Sequence, residues 1–433
     1  MTDAVIQHSK AFRMRRFWNW FPMGLTYAFL YWGRYNLTVA KNSLSDVAMP
    51  DGSTLELLTK GDFGFIFGVG TVIYALAFLI NGPLTDRIGG RKALLIGAVG
   101  TMIANAGLGV ATWLVLTSAD PGGWPIVPVF TAIYATNMYF QSFGAVSIVK
   151  VNANWFHVRE RGGFSGIFGV MISSGIFFAF DVSQRVLSLA GDARWWVFFA
   201  PAIALSVMIC IEFLLLKDTP KDAGLENFDA GDGREGESDE PLPTLQLLKG
   251  IVTHPVILTV AFVEFCTGVL RNGVMHWFPI FAKEQIAVGG DATDEWTFFL
   301  KNWGLLLMFA GILGGNIAGW ISDKVFGSRR APVAALLYGM LAAAMIGMFF
   351  SLSSPIILGV IVFVVSLGVI GTHGLLSGTA TMDFGGRRGA ATAVGVIDGF
   401  VYLGTGLQSF SLGYLTQQSW TYWPIFLFPF ALL

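Results

Sequence analysis

The sequence predicts an all-α membrane protein with twelve transmembrane helices in two pseudo-symmetric six-helix bundles. Of its 433 residues, 54% are hydrophobic and 13% are charged, and the mean hydropathy is +0.63. Apolar stretches close to the roughly 20 residues that cross a bilayer as a helix recur along the whole chain. Arg34 and Arg271, each inside an apolar segment, lie 237 positions apart, as do Asp86 and Asp323. A duplicated membrane-spanning unit explains all three observations.

Each of the twelve spans is predicted from its apolar run, with edges good to a few residues. The spans lie at 17–39, 61–82, 93–116, 127–149, 164–187, 195–217, 256–282, 297–321, 331–352, 355–378, 389–412 and 419–433. Thirteen residues, from Thr421 to Leu433, form the core of the last span, which is short for a crossing. The last helix is therefore expected to be incomplete, because either the chain or the helix stops early.

Basic residues set the predicted orientation. Lys10, Arg13, Arg15 and Arg16 flank the first span, and the positive-inside rule places such a flank in the cytoplasm. Loops after even-numbered spans hold more basic residues than loops after odd-numbered spans, so both ends are expected inside. No cleavable signal peptide is predicted, because the apolar run after the flank is too long. The expected location is the cell inner membrane.

The chain divides into three predicted parts. Residues 1–217 and 256–433 each hold six spans, and residues 218–255 between them form the longest hydrophilic stretch. That stretch is rich in Asp, Glu and Gly, a composition typical of flexible linkers. We therefore predict an amino-terminal bundle, a cytoplasmic linker and a carboxy-terminal bundle.

Two copies of a charged motif fall in corresponding loops, after spans two and eight. They are Gly-Pro-Leu-Thr-Asp-Arg at 82–87 and Gly-Trp-Ile-Ser-Asp-Lys at 319–324. An acid beside bases at a helix end forms ion pairs and complements helix dipoles, and such pairs can break when two bundles rock. Topology charges alone would explain the bases but not the repeated Gly-x-x-x-Asp. The predicted gating residues are Asp86, Arg87, Arg91, Asp323 and Lys324.

The two arginines are the sharper signal for function. An arginine at mid-helix costs roughly 2.5 to 3.5 kcal/mol on insertion scales, so it usually faces a cavity and a partner. Arg34 and Arg271 hold equivalent repeat positions and would converge between the bundles. There they form a positive site for a small dianion, since guanidinium forks match phosphate and carboxylate oxygens. The alternative is that Arg34 snorkels to the outer interface, because Lys41 lies only seven residues further on.

The repeated loop resembles the Gly-x-x-x-Asp-Arg-x-Gly-Arg-Arg signature of the major facilitator superfamily. More narrowly, residues 27–36 (Tyr-Ala-Phe-Leu-Tyr-Trp-Gly-Arg-Tyr-Asn) and 270–279 (Leu-Arg-Asn-Gly-Val-Met-His-Trp-Phe-Pro) resemble helices one and seven of the organophosphate:phosphate antiporter family. The resemblance covers nearly the whole chain. It implies that Arg34 and Arg271 bind a phosphoryl group. The cavity-lining tyrosines that it implies are Tyr27, Tyr31, Tyr74 and Tyr402.

Some positions depart from the pattern that the resemblance implies. Members of the glycerol-3-phosphate type carry a lysine, a histidine, an aspartate and a glutamate where this chain has Phe78, Ile172, His276 and Met308. The two arginines that would bind the anion are kept, while the residues around them differ. His276 and, in span four, Gln141 complete the predicted substrate-binding side chains.

Three ionisable residues of the later spans, Glu264, His373 and Asp398, are candidates for proton coupling. Glu264 precedes Arg271 by seven residues, two helical turns on roughly the same face, so it could pair with that arginine or exchange protons. Asp398 and Tyr402 are one turn apart in span eleven. The alternative for each candidate is a structural hydrogen bond to a neighbouring helix.

The predicted function is secondary transport of a small organic anion, a phosphorylated metabolite exchanged for inorganic phosphate by alternating access. A proton-coupled symporter of a sugar acid or other carboxylate is the alternative, and a transporter-like ligand sensor is a third hypothesis. No enzyme active site, cofactor, metal site or nucleic-acid partner is predicted. The expected partners are the anion, inorganic phosphate and the lipid bilayer, and the carrier is expected to be a monomer.

Overall fold

A computed structural model shows a chain that is helical along most of its length. The described residues are 8–49, 51–231, 253–327 and 329–433. Side chains are left undescribed at 158–159, 161–168 and 377–394. Most of the predicted linker, residues 232–252, lies outside the described residues.

The amino-terminal half begins with two long helices joined to a small hairpin. Its helices are α1 (Lys10–Leu44), α2 (Lys60–Ile88), α3 (Gly90–Thr117), α4 (Ile126–Gln141), α5 (Phe143–Trp155), α6 (Val158–Phe177), α7 (Ser183–Ala190) and α8 (Trp196–Leu215). The antiparallel strands β1 (Val47–Ala48) and β2 (Thr54–Leu55) follow α1. A capping box of Thr59 and Asp62 starts α2, and Gly89, with φ of 91°, lets the chain turn directly into α3.

The carboxy-terminal half is also helical. Its helices are α9 (Pro255–Met275), α10 (Trp277–Val288), α11 (Thr293–Lys301), α12 (Trp303–Lys324), α13 (Arg330–Ser351), α14 (Pro355–Gln418) and α15 (Tyr422–Leu432). Pro255 and Pro355 stand in the first turns of α9 and α14, where a missing N–H is tolerated. The end of the molecule where α1 begins is termed the first face, and the end where α1 finishes the second face.

Length and composition identify the spans. Eight helices within the described residues are long and apolar enough to cross a membrane. They are Lys60–Ile88, Gly90–Thr117, Gly169–Ala190, Trp196–Leu215, Pro255–Val288, Trp303–Lys324, Arg330–Ser351 and Pro355–Leu376. The helix Tyr422–Leu432 is apolar but shorter than these eight.

Several predicted spans contain a local irregularity of the helix, which the sequence did not predict. The interruptions lie at Ser142, at the π-helical turn Phe178–Val182, at His276 and at Asn302. Irregular backbone at membrane depth is tolerated where protein groups surround it. Ser142, for example, accepts a hydrogen bond from Asn81 Nδ2 at 2.7 Å. Side-chain partners on other helices therefore stabilise these breaks.

Helix α14 corrects the prediction of a loop between the tenth and eleventh spans. Spans 355–378 and 389–412 are predicted as separate helices joined by a loop, whereas in the structure one helix runs from Pro355 to Gln418. No proline lies between the two predicted spans to end a helix. The first part of α14 packs on α12 and α13, and its last part packs on α2 and α9. Each part therefore contributes to the fold as a separate packing unit.

Glycines allow the helices to approach closely. A side chain at Gly268 of α9 would overlap the backbone carbonyl of Val401 in α14. Gly64 of α2 lies against Gly413 of α14, so the same closeness joins the two halves. Small residues serve this purpose in membranes, where packing rather than water drives helix association. The contact line of α2 with the last part of α14 is termed the seam.

Candidate substrate site

Arg34 lies in α1 and is completely buried. Its Nε donates to Gln141 Oε1 of α4 at 2.8 Å, and its Nη1 donates to Tyr402 Oη of α14 at 2.7 Å. Its Nη2 has no hydrogen-bond partner among the described residues. The guanidinium therefore faces the opposite bundle, which excludes snorkelling to the interface. Nη2 remains available to a ligand.

Tyrosine rings surround the Arg34 guanidinium. Its Cζ atom lies 4.6 Å from the ring centre of Tyr31 and 4.5 Å from that of Tyr74. The ring centres of Tyr35 and Tyr402 are each 5.7 Å away. Cation–π contacts of this kind offset part of the desolvation cost of a buried charge. Sequence reasoning missed Tyr35, although it directly follows Arg34.

The fourth tyrosine that the resemblance implied stands further back. Tyr27 contacts Tyr31 edge to face, with ring centres 5.2 Å apart, and it is buried. It lies two helical turns before Arg34 on the same helix. In this arrangement Tyr27 supports Tyr31, which in turn touches the guanidinium.

A chain of buried amides supports Arg34 from behind. Gln141 Nε2 donates to Asn137 Oδ1 at 3.3 Å, and Asn137 Nδ2 donates to the carbonyl oxygen of Gly33 at 2.9 Å. Asn105 Nδ2 donates to the same carbonyl at 3.1 Å. This network orients Gln141 and hence the guanidinium that it binds. Sequence reasoning missed both asparagines, whose only signal was a polar residue inside an apolar span.

Arg271 of α9 approaches the same tyrosines from the other bundle. It lies within hydrogen-bonding reach of Tyr31, and its Nη2 is 3.5 Å from Tyr35 Oη. Its Nε is without a partner in the described part of the chain, and the side chain is buried. Tyr31 and Tyr35 thus contact both arginines. The two repeat-related cations share one buried polar site.

His276 interrupts the helix that carries Arg271 and lies beside this site. Its Nδ1 is 2.7 Å from Thr38 Oγ1 of α1, so the contact joins the two bundles. Aromatic rings of Tyr35 and Phe67 pack against the imidazole, with centres 4.7 and 4.5 Å away. Within the described ranges its Nε2 has no hydrogen-bond partner. His276 therefore closes the site on the side of the second face.

The predicted proton-coupling residues divide into a close pair and a more distant carboxylate. Glu264 Oε2 lies 2.9 Å from His373 Nδ1, so Glu264 pairs with His373 rather than with Arg271. Helix rotation and the approach of α14 decide this partner, which the spacing along α9 alone could not. Asp398 of α14 is partly buried and interacts electrostatically with Glu264.

The predicted gating loop after α2 forms its ion pair inside one bundle. Asp86 pairs with Lys150 of α5 at 2.9 Å, and the Arg91 backbone N–H donates to Asp218 Oδ1 at 2.8 Å. Because neither bond involves the carboxy-terminal half, rocking of the two bundles does not itself separate them. Arg87 is exposed, as are Asp323 and Lys324 at the end of α12.

Further polar contacts between the halves lie at the second face, and sequence reasoning missed them as pairs. Lys283 Nζ is 2.7 Å from Asp46 Oδ2, and Lys60 Nζ is 3.1 Å from Glu284 Oε2. Asp181, in the π-helical turn, accepts from the backbone N–H of Gly304 at 2.6 Å and of Leu305 at 2.9 Å. Asp181 thereby caps α12 of the other bundle. The residues of these contacts are Asp46, Lys60, Asp181, Lys283, Glu284, Gly304 and Leu305.

Two helical bundles with repeat-related cations buried between them, and broken helices around those cations, define the class of secondary transporters. Residues 16–409 match the sequence profile of the Major Facilitator Superfamily. The chain belongs to this superfamily, and it is a multi-pass membrane protein. The E. coli xylose transporter XylE shares the fold, with a TM-score of 0.70 at 14% identity over 96% of this chain and 98% of that one. The predicted fold class is confirmed.

Three curated relatives show which members of the superfamily the chain is similar to. The glycerol-3-phosphate transporter of Bacillus subtilis (strain 168) is 27% identical over 362 residues, covering 80% of this chain and 76% of that protein. A probable hexose phosphate transport protein of Chlamydia trachomatis serovar D is 23% identical over 437 residues, covering 96% and 88%. The membrane sensor protein UhpC of Escherichia coli (strain K12) is 23% identical over 390 residues, covering 88% and 83%. The resemblance to the organophosphate:phosphate antiporter family is confirmed.

Proposed function

We propose that the protein is a secondary active transporter that exchanges a phosphorylated metabolite for inorganic phosphate. The observation that carries the proposal is the pair Arg34 and Arg271, buried on opposite bundles, each contacting a tyrosine of the other bundle. Two of the relatives are named for transport of glycerol 3-phosphate and hexose phosphate. A phosphoryl group is the chemistry that those two substrates share.

The free donors of the two arginines suit a tetrahedral dianion. Arg34 Nη2 and Arg271 Nε both lack hydrogen-bond partners in the described part of the chain. A phosphoryl dianion can accept from both and displace the tyrosine hydroxyls of Tyr402 and Tyr35 from the remaining nitrogens. The hydroxyl accepts from the guanidinium as a neutral group, whereas the dianion adds the attraction between opposite charges at both arginines, so it competes well with a hydroxyl. Each displaced hydroxyl can then donate to a phosphoryl oxygen.

Exchange requires the site to face the two sides of the membrane in turn. Because both arginines are buried, an anion reaches them only when the bundles separate at one face. Opening the second face must break the Asp46–Lys283 and Lys60–Glu284 ion pairs. Two like charges oppose closure of the site, whereas a bound dianion bridges them and lowers the barrier to switching. The carrier therefore returns readily only when refilled.

The orientation follows from the basic flank of α1. Lys10, Arg13, Arg15 and Arg16 lie at the first face, which we place in the cytoplasm by the positive-inside rule. The second face then looks outward from the inner membrane. The site is complete within one chain, so we propose that the transporter works as a monomer.

A ligand sensor is the second candidate, favoured by the similarity to the membrane sensor protein UhpC. In a sensor the same anion site would report occupancy instead of releasing its ligand on the far side. Phosphate counterflow by the purified protein distinguishes the two functions, because a pure sensor gives none.

The test is counterflow in proteoliposomes loaded with inorganic phosphate and given labelled phosphate outside. We expect rapid exchange by the natural protein and loss of exchange in Arg271→Ala, because one of the two cations is removed. Arg185→Ala is the matched control, since Arg185 is exposed, and it should exchange at the natural rate. Absence of exchange by folded natural protein would refute the proposal and leave the ligand sensor and the proton-driven carboxylate carrier as the remaining functions.

A further inference from the structure

A carboxylate and an imidazole form a pair inside the carboxy-terminal bundle, apart from the arginines. Glu264 Oε2 of α9 is 2.9 Å from His373 Nδ1 of α14. Glu264 is completely buried, and its Oε1 has no hydrogen-bond partner among the residues described. The side chain of His373 is 23% exposed. The pair thus has one buried end and one partly exposed end.

Titratable groups of three helices face the pair. Arg271 lies two turns further along α9 and interacts electrostatically with Glu264. Asp398 of α14 does so as well, with the opposite sign. On α13, Tyr338 Oη donates at 3.0 Å to the carbonyl of Val263, the residue before Glu264. The charge of the pair is therefore felt at Arg271, the cation that the proposed substrate would bind.

We propose that Glu264 and His373 together bind one exchangeable proton and that this proton raises the anion affinity of the site at Arg271. The inference rests on the proposed function and adds an ion to it. With one proton the pair is neutral overall, whether the proton is on the imidazole or on the carboxyl group. Without that proton the pair carries one negative charge. Protons enter at His373 and pass along the hydrogen bond to Glu264.

Helix geometry sets the size of the linkage. Seven residues at about 1.5 Å each place Glu264 about 10 Å from Arg271 along α9. A negative charge at that distance repels an anion beside Arg271. At an effective dielectric constant of about 20, removing the charge raises the anion affinity about tenfold for each charge of the anion. Reciprocity requires the anion to raise the proton affinity by the same factor.

The proton and the anion then favour each other's binding. In a carrier loaded with both, the proton neutralises the Glu264–His373 pair and the anion neutralises the arginines. A proton gradient can therefore add to the driving force of phosphate exchange. The Glu264–His373 pair is a second ion site, distinct from the two arginines that hold the phosphoryl group.

The first measurement counts protons without any substrate. Purified natural protein and the double variant Glu264→Gln with His373→Gln are titrated between about pH 5.5 and pH 8.5, and the protons taken up are compared. We expect the double variant to take up about one proton fewer per molecule. An equal count would overturn the proposal, because a pair that keeps or lacks its proton throughout this range is only structural.

The second measurement compares phosphate exchange across the same pH range. Phosphate itself changes charge there, so the readout is the ratio of half-saturation constants of Glu264→Gln and the natural protein. We expect this ratio to change by about tenfold for each negative charge of the bound phosphate between the two ends of the range. Glu226→Gln is the control, because Glu226 is an exposed carboxylate after α8, outside the buried site. Its ratio should be independent of pH.

The outcomes separate this inference from the function on which it rests. A constant ratio for Glu264→Gln, despite exchange and a proton difference, would overturn the linkage to anion binding. Absence of exchange by the natural protein would refute the proposed function and the linkage with it. The proton count alone shows whether the Glu264–His373 pair binds an exchangeable proton. His373→Gln serves as a second single variant if Glu264→Gln folds poorly.

Discussion

Replacing Arg34 by lysine keeps the buried charge but removes the planar fork. Arg34 uses Nε for Gln141 and Nη1 for Tyr402, and it keeps Nη2 for a ligand. A lysine ammonium is a single nitrogen on a flexible stem. It cannot reach the positions of all three guanidinium nitrogens at once. Arg34→Lys is therefore a test of geometry rather than of charge.

The loss follows from the number of donors. If the ammonium remains with the Gln141 and Tyr402 oxygens, the ligand loses at least one hydrogen bond to a charged group, worth about 1.5–3 kcal/mol. At 1.4 kcal/mol per factor of ten, the half-saturation constant for phosphate should rise about 10- to 100-fold. If the ammonium turns to the ligand, Gln141 Oε1 loses its donor, and the buried unsatisfied oxygen lowers the stability of the protein instead.

The assay is phosphate counterflow over a range of external phosphate, with thermal unfolding of each purified variant as a second readout. Arg185→Lys, at an exposed position, is the matched control and should behave as the natural protein. A half-saturation constant for Arg34→Lys within about twofold of the natural value, with unchanged stability, would refute fork recognition at this arginine.

Two further predictions concern contacts between helices. Asp181→Ala removes the acceptor of the Gly304 N–H, so the free energy needed to open the second face should fall by about 1–2 kcal/mol. A cysteine at Gln184, in a background without native cysteines, should then react about 5- to 30-fold faster with an impermeant thiol reagent, and an unchanged rate would contradict the capping role. Gly268→Val should prevent α9 from packing on the Val401 carbonyl and so lower the thermal stability. Unfolding at the natural temperature would show that this close approach is dispensable.

Local pattern sufficed for the spans and for the two cations. Hydropathy marks where a helix can cross, and the 237-residue repeat equates Arg34 with Arg271. Neither observation needs the third dimension, because the first is a sum over neighbours in the chain and the second is a comparison of the chain with itself. Breaks such as the one at His276 were not predictable in this way. They depend on partners from other helices, here Thr38.

The sequence by itself determined the transporter class, the positions of both arginines and the presence of buried carboxylates. Only the tertiary structure decided which groups meet: Glu264 with His373 rather than Arg271, and Asp181 with the backbone of the opposite bundle. Residue spacing defines a face of one helix, but the rotation and tilt of its neighbours are set by packing along the whole length of each helix. A contact between helices is therefore a property of the folded bundle, even where each of its two residues is conspicuous in the sequence.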